Sequence, residues 1–557
     1  MTRRDLALLF IIGLIVPLAI AQFQSLPGYM DADYYFGGGI QLAKGNGFTE
    51  PYLWNYLDDP AGLPHPSHAY WMPLASIVAA AGMALTGRTT FTAARLGFLL
   101  LAALVPPLTS LLAHKLTGNR ALSFLSGLLA CFPIYYAPFL PDTDNYAIYM
   151  VLGATYFLLL ANLSSLTTEH RPLNTAKSPR GDYRSLITFF LLGLLSALMT
   201  LARSDGLLWL GISFLVAVWW SGKQVDTYTG TQVNTEHAPR TTSHASFHLS
   251  SFIFHLFFIL LGYLLLISPW YARNLTVFGS LMAPGGSRAL WLTSYNDTFA
   301  FPASQLTMQS WLASGWDAIM KARLTALRIN LLNAFAAQGG VFLFPLIVIG
   351  LRRMWKDVRV RFALLAWTLL LVAMTFVFPF AGPRGAFFHA GAALQPMWWC
   401  LAPVGLDALV ASARKRGWFD DRAFVIFRGA LVVLAILMTA AIFVIRVLPG
   451  WNREDGHYAS ADVFLVQQGA PSDAAIIVRN PPGYNVTTGR AALAIPSGGI
   501  SALLAVAERY DVHYLLLEPD GVFNDLKTLY EQPESNPSFR YLGESDGNRL
   551  YEILRQP

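Results

Sequence analysis

Long apolar runs alternate with short polar segments over the first four-fifths of the chain, and the pattern changes near residue 449. A hydrocarbon core of roughly 30 Å takes about 20 helical residues to cross. Runs of that kind lie near 5–22, 91–113, 121–138, 145–163, 185–202, 205–220, 249–270, 331–351, 362–380, 387–411 and 429–448, which predicts about eleven transmembrane helices. The run 70–87, "YWMPLASIVAAAGMALTG", is short and rich in small residues, and is assigned to an interfacial or re-entrant helix. With it left out, Arg3 and Arg4, "HKLTGNR", "RPLNTAKSPRGDYR", "RRMWKDVRVR" and "RKR" all fall on one side, which the bias of basic loops makes cytoplasmic. The stretches 23–90 and 271–330 and the tail then face out.

The tail, 449–557, reads differently. "DAAIIVRN" and "VHYLLLEP" predict strands, "SALLAVAERY" and "FNDLKTLYEQ" helices, and "FRYLGES" with "NRLYEILR" a closing strand pair. The chain is therefore expected to be an α-helical polytopic membrane protein, residues 1–448, with a C-terminal α/β extracytoplasmic domain of ordinary size. Residues 221–247 are Ser/Thr-rich without hydrophobic periodicity and predict a disordered cytoplasmic loop.

Composition narrows the class. Of the 557 residues 54% are hydrophobic and 13% charged, about half the charged fraction of soluble domains. The net charge of +6 is scattered in short clusters between apolar runs, so no nucleic-acid surface is expected. Cys131 and Cys400 both fall in apolar runs and make neither a disulfide framework nor a metal motif. The N-terminus combines a basic start, an apolar stretch and "AIA", and is taken as an uncleaved first helix because further spans follow.

Candidate chemistry begins in "YMDADYYFGGG", residues 29–39, where Asp31 and Asp33 stand just past the first span. An isolated D-x-D is most simply a pair of solvated acids. Here the same loop is dense in Trp, Tyr, Pro and Gly, which suits an ordered aromatic cavity floor. The order "MDADYYFGGGIQLAKGNGF", "HPSHAYWMPL", "GRTTFTAARLG", "LARSDGLLWL" and "SPWYARNLTVFGSLMAPGG" resembles the GT-C superfamily of integral membrane glycosyltransferases, chiefly bacterial branches related to protein O-mannosyltransferases and lipid A aminoarabinose transferases. The resemblance implies transfer of a sugar from a polyprenyl-phosphate donor to a lipid, glycan or protein acceptor at the outer face of the cell membrane. It also implies an acidic base or metal anchor in the first outer loop, which by position is Asp31, with Asp33 as its partner. The Asp-Glu pair of the mannosyltransferases is not kept, since Ala32 follows Asp31. A polytopic transporter or flippase of lipid-linked glycans is the alternative; it predicts charges near span midpoints rather than at their outer ends.

Cations at outer positions run against the charge bias. Arg273, Arg288 and Arg384 are assigned to phosphate, whose geometry suits guanidinium forks. Arg203 has Asp205 as a local partner, and a structural and a functional role are both open. His65 and His68 in "PHPSH" are candidates for metal, phosphate or acceptor contacts, and the intervening Pro removes the helical ligand-spacing argument. His389 opens the tenth predicted span, either packed or as a substrate contact. Asp142 and Asp144 in "PDTDNY" suit helix capping or the cavity wall. A divalent cation is compatible with these residues and not required by them. The sequons at Asn274, Asn296 and Asn485 matter only in a secretory pathway.

Overall fold

The computed structural model describes residues 1–168, 180–232, 249–519, 522 and 525–554. Among them nine helical segments are long and apolar enough to cross a membrane: Arg3–Ala21 (α1), Phe91–Thr117, Tyr146–Leu163, Tyr183–Ala202, Ser204–Gly222, Phe252–Phe278, Val358–Val377, Gly382–Lys415 and Arg422–Val447. Two of the eleven predicted spans are broken instead. The run near 121–138 forms a helix only over Arg120–Cys131, and Phe132 leaves helical geometry before Pro133, as the residue preceding a proline tends to. The run near 331–351 is interrupted at "QGG", where Gly340 and Val341 both take positive φ, before a short helix Phe344–Arg353. The predicted loop 221–247 is helical as far as Gln232, and 233–248 lie outside the described residues.

The stretch 23–90, expected to face out, is ordered around helix Met30–Ala43 (α2) and helix Leu74–Thr86 (α3). At 13 residues, α3 reaches about 20 Å, too short for the hydrocarbon core. The glycine triplet explains how α2 packs. A Cβ on Gly37 would meet the Tyr52 hydroxyl at 2.6 Å, one on Gly38 the Ser76 Oγ at 2.6 Å, and one on Gly39 the Ala79 Cβ at 2.8 Å. Only hydrogen on those three positions lets α2 lie directly on its neighbours.

Short strands β1 (Thr49–Glu50), β2 (Tyr52–Leu53) and β3 (His65–Pro66) follow α2, and β1 pairs antiparallel with β3. The tail supplies β4 (Ile476–Val478), β5 (Ala492–Ala494), β6 (Tyr514–Leu517), β7 (Phe539–Ser545) and β8 (Asn548–Ile553). Its sheet has the order β2-β5-β4-β6-β8-β7, with the first four strands parallel and β8 antiparallel to both neighbours. The strands predicted from "DAAIIVRN", "VHYLLLEP" and the closing pair are present; β5 is an addition, as are helices Arg453–Gln467 and Pro481–Thr488. The sheet is not confined to 449–557. Its edge strand β2 comes from the stretch 23–90, pairing Tyr52 with Ala492 and Leu53 with Leu493. Successive residues of a strand face opposite ways. Ile477, Leu493 and Leu515 thus pack on one face of the sheet, and Ile476, Ala492 and Leu516 on the other.

Candidate active site

Asp31 and Asp33 occupy the first turn of α2, where the helix dipole favours carboxylates. Two residues of α-helix turn a side chain by about 200°, so the pair diverges. Asp33 is buried, and its Oδ2 accepts a hydrogen bond of 3.0 Å from Asn480 Nδ2 in the tail. The amide of Asn480 is oriented by its own cap, since its Oδ1 accepts from the Gly483 amide at 3.1 Å. Asp31 points the other way, its side chain 32% exposed, toward His389 and Asp144.

These three residues come from distant segments. Asp144 lies in the turn before helix Tyr146–Thr168, and its Oδ2 accepts from the Tyr29 hydroxyl at 2.7 Å and meets His389 Nε2 at 2.9 Å. Asp31 Oδ2 is 3.8 Å from the same Nε2. The ring's other nitrogen, Nδ1, lies 2.9 Å from the Gly385 carbonyl and 3.2 Å from the Tyr146 hydroxyl. That carbonyl is delivered by a kink: Gly385 has φ +120°, a conformation that favours glycine. One ligand atom from each of Asp31, Asp144 and His389 falls within 4.8 Å of the other two.

Electrostatics separate the acids. Burial raises the Asp31 carboxyl to about 6, His389 and Arg203 opposing and Asp144 adding to the shift. Burial also acts on Asp144, but His389 and the hydrogen bonds it accepts hold it below the ordinary carboxylate range. Asp142, equally buried, is pushed well up by desolvation, and its Oδ1 is engaged by the Thr143 amide at 2.7 Å. It stands apart from the cluster.

The donor set suits a divalent cation. A carbonyl oxygen only accepts, so Gly385 selects the Nδ1–H form of His389 and leaves the Nε2 lone pair facing both carboxylates, the orienting hydrogen bond that metal-ligating histidines commonly make. Without a cation, a proton must lie between Nε2 and Asp144 to make the 2.9 Å contact.

Other predicted site residues are distributed differently. His65 is buried between Glu50, with Nε2 2.8 Å from Oε1, and Asp58, with Nδ1 4.0 Å from Oδ2. His68 is buried between the Ser67 and Ser76 hydroxyls at 2.7 and 3.1 Å. Neither joins Asp31. Arg273 spends its donors on the Ser67 and Phe48 carbonyls, at 2.7 and 3.4 Å, and lies over the Trp270 ring at 4.8 Å. Arg288 donates to the Leu57 carbonyl at 2.7 Å. Both fasten the stretch 23–90, Arg273 through two backbone carbonyls and Arg288 through one. Asp33 faces away from Asp31 and is held by Asn480. Arg203 is partly buried and bonded to Asp205 at 2.8 Å, yet its charge is felt at Asp31. Arg384 is exposed, with its guanidinium 4.2 Å from the Tyr295 ring centre.

Tyr29, Tyr146 and Tyr295 carried no signal of their own in a chain with 23 tyrosines. Asp144 was visible in "PDTDNY", where capping explained it equally well.

No family model matches the chain, and no curated protein does. Among solved structures, ArnT from Cupriavidus metallidurans in the apo state is similar with a TM-score of 0.52 at 12% identity, over 98% of this chain and 97% of that one. The oligosaccharyltransferase of Archaeoglobus fulgidus, tethered to an acceptor peptide containing the NVT sequon, gives 0.52 at 12% identity, over 100% and 74%. The same enzyme in complex with Zn and sulfate gives 0.50 at 12% identity, over 98% and 73%. At this identity the likeness is one of fold. Both neighbours are GT-C glycosyltransferases, and this polytopic membrane chain has a GT-C-like fold.

Proposed function

We propose that the protein is a glycosyltransferase that moves a sugar from a polyprenyl-phosphate donor to a hydroxyl acceptor at the outer membrane face, with Asp31 as general base. The observation that carries this reading is the partly exposed Asp31 carboxylate beside the buried Asp144–His389 pair. The acceptor oxygen attacks the anomeric carbon, the bond from that carbon to the phosphate oxygen breaks, and the lipid phosphate leaves with the electron pair. Asp31 takes the acceptor proton. Among the described residues Asp31 makes no hydrogen bond, and with burial bringing it to about 6 it is ionised at neutral pH while remaining more basic than an ordinary carboxylate. Where a divalent cation is bound, Asp31, Asp144 and His389 would hold it, and it would supply positive charge toward the leaving phosphate. Tyr29 keeps Asp144 in place, and Asn480, by bonding Asp33, fixes the rotation of α2 and hence the direction of Asp31.

Asp31→Asn keeps the shape and removes the basicity. Transfer from a radiolabelled polyprenyl-phosphate sugar in purified membranes should fall by about 10²–10⁴-fold with donor binding retained. Near-normal transfer would remove Asp31 from the reaction.

The outward orientation of the site and tail belongs to the same proposal. It is supported by the basic loops and by α3, which is too short to span. A cysteine placed at Ser501, exposed on the tail, should react with an impermeant thiol reagent in intact spheroplasts. Labelling confined to lysed cells would invert the topology.

A further inference from the structure

Two exposed arginines, one from the membrane part and one from the tail, act on Tyr295. Arg384 belongs to the membrane part and stacks on the ring at 4.2 Å. Arg479 belongs to the tail, at the carboxyl end of β4, and its charge and that of Arg384 both act on the Tyr295 hydroxyl, as does Asp31. Its neighbour in sequence, Asn480, is the residue bonded to Asp33 on α2. Arg479 is therefore held close to the first turn of α2 by a buried contact. Docking is reinforced by the pairing of β2 with β5 and by the Tyr56 hydroxyl on the Ala494 carbonyl.

Two like charges that both act on one hydroxyl repel each other unless an anion lies between them. Arg384 has no salt bridge or hydrogen bond from its guanidinium among the described residues. Arg479 has one acidic neighbour, Glu518, at 3.8 Å, beyond hydrogen-bond distance. Glu518 is itself shared, its Oε1 accepting from Tyr458 at 3.1 Å, and burial together with Glu454 raises its carboxyl to about 7, so it offsets the arginine only in part.

We propose that Arg384 and Arg479 form a two-arginine site for a phosphate group beside Asp31, completed only when the tail sheet is docked on the first outer stretch. This deepens the transferase reading and rests on it for the role of the anion, which is either the phosphate of the lipid donor or a phosphate carried by the acceptor. Guanidinium forks on two sides match the tetrahedral oxygens of phosphate. The tail is then part of the substrate site.

The test is calorimetric titration of the full-length protein in detergent with farnesyl phosphate, with farnesol as the uncharged control, and with glucose 6-phosphate. Arg479→Gln and Arg384→Gln should each weaken phosphate binding by about ten- to a hundred-fold and leave farnesol unchanged. A loss confined to farnesyl phosphate assigns the site to the donor, and one confined to glucose 6-phosphate assigns it to the acceptor. Arg479 is half exposed, so its replacement should leave the unfolding temperature unaltered. Arg479→Lys, a milder change, should fall between wild type and Gln, because it keeps charge and loses the fork. Undiminished affinity for both phosphates in both Arg479 variants overturns the proposal. Binding is read without transfer. Phosphates held by both arginines in a protein that transfers no sugar would refute the transferase reading alone, and sugar transfer at wild-type KM in Arg479→Gln would refute the arginine pair alone.

Discussion

Among the described residues two clusters combine two carboxylates with one imidazole, and they differ in how the acids meet the ring. In the Glu50–His65–Asp58 cluster the acids approach opposite nitrogens, Glu50 at Nε2 and Asp58 at Nδ1. In the Asp31–Asp144–His389 cluster both acids face Nε2, and Nδ1 is taken by the Gly385 carbonyl. Acids on opposite nitrogens clamp a ring; acids converging on one nitrogen leave a point where a cation or a reacting proton can sit. Access differs too. Every side chain of the first cluster is buried to at most 7% exposure, whereas Asp31 is 32% exposed. Two carboxylates and an imidazole thus yield a fastener in one place and a candidate active site in the other.

The largest expected separation is in cation binding. Replacing even the residue behind a metal ligand costs about 10–100-fold in affinity, so loss of a ligand itself should cost about a hundred-fold or more. Asp144→Asn and His389→Gln should weaken Mn²⁺ or Zn²⁺ binding by that factor, measured by calorimetry, while Glu50→Gln leaves it unchanged. Equal loss in all three variants would erase the distinction between the clusters.

Stability should separate them in the other direction. Glu50→Gln removes a charge-assisted contact inside the first outer stretch and should lower unfolding free energy by about 1.5–3 kcal/mol, with transfer per folded molecule near normal. Full stability combined with lost transfer would make the Glu50 cluster part of the site.

The smallest effect is a pH dependence with two opposite limbs. At His65, burial opposes charging but Glu50 outweighs it, raising the pKa above 6.5. Its contribution is complete below the unfolded value of 6.5 and is lost as pH rises through the folded one. At His68, burial aided by Arg273 lowers the pKa from 6.5 to about 3. Its contribution is complete above 6.5 and is lost as pH falls toward 3. Together they favour a stability maximum near 6.5, and Glu50→Gln should flatten the alkaline limb only. Thermal unfolding across pH 4–9, roughly the window of both imidazoles, checks this; an alkaline limb unchanged in the variant would reject the His65 assignment.

Much of the architecture was legible along the chain because membrane spans and buried strands are written in local hydrophobic runs. The eleven runs, the short segment 70–87 and the strands of the tail all follow from that. The broken spans at Phe132–Pro133 and at "QGG" carried their own punctuation, yet length alone favoured continuous helices. Asp31 was singled out by its place after the first span. His389 stands in the sequence without its partners, and Asp144 suits a cap as well as the cavity wall, because residues 245 positions apart in the chain meet only through packing.

What the sequence alone determined is the class of the protein: hydropathy and basic loops are properties of segments, and they specify a polytopic membrane chain with a mixed tail. Which acid faces the site and which faces the tail was decided by tertiary structure. The 200° divergence of Asp31 and Asp33 follows from the helix, but its direction depends on Asn480 and on three glycines that let α2 seat against Tyr52 and α3. The fates of Arg273 and Arg384 were decided the same way. Both are outer arginines in the sequence; one finds backbone carbonyls within reach and is consumed by them, and the other finds only an aromatic ring. Hydrogen bonds and ion pairs depend on distances of a few ångströms between remote segments, and only the folded chain sets those distances.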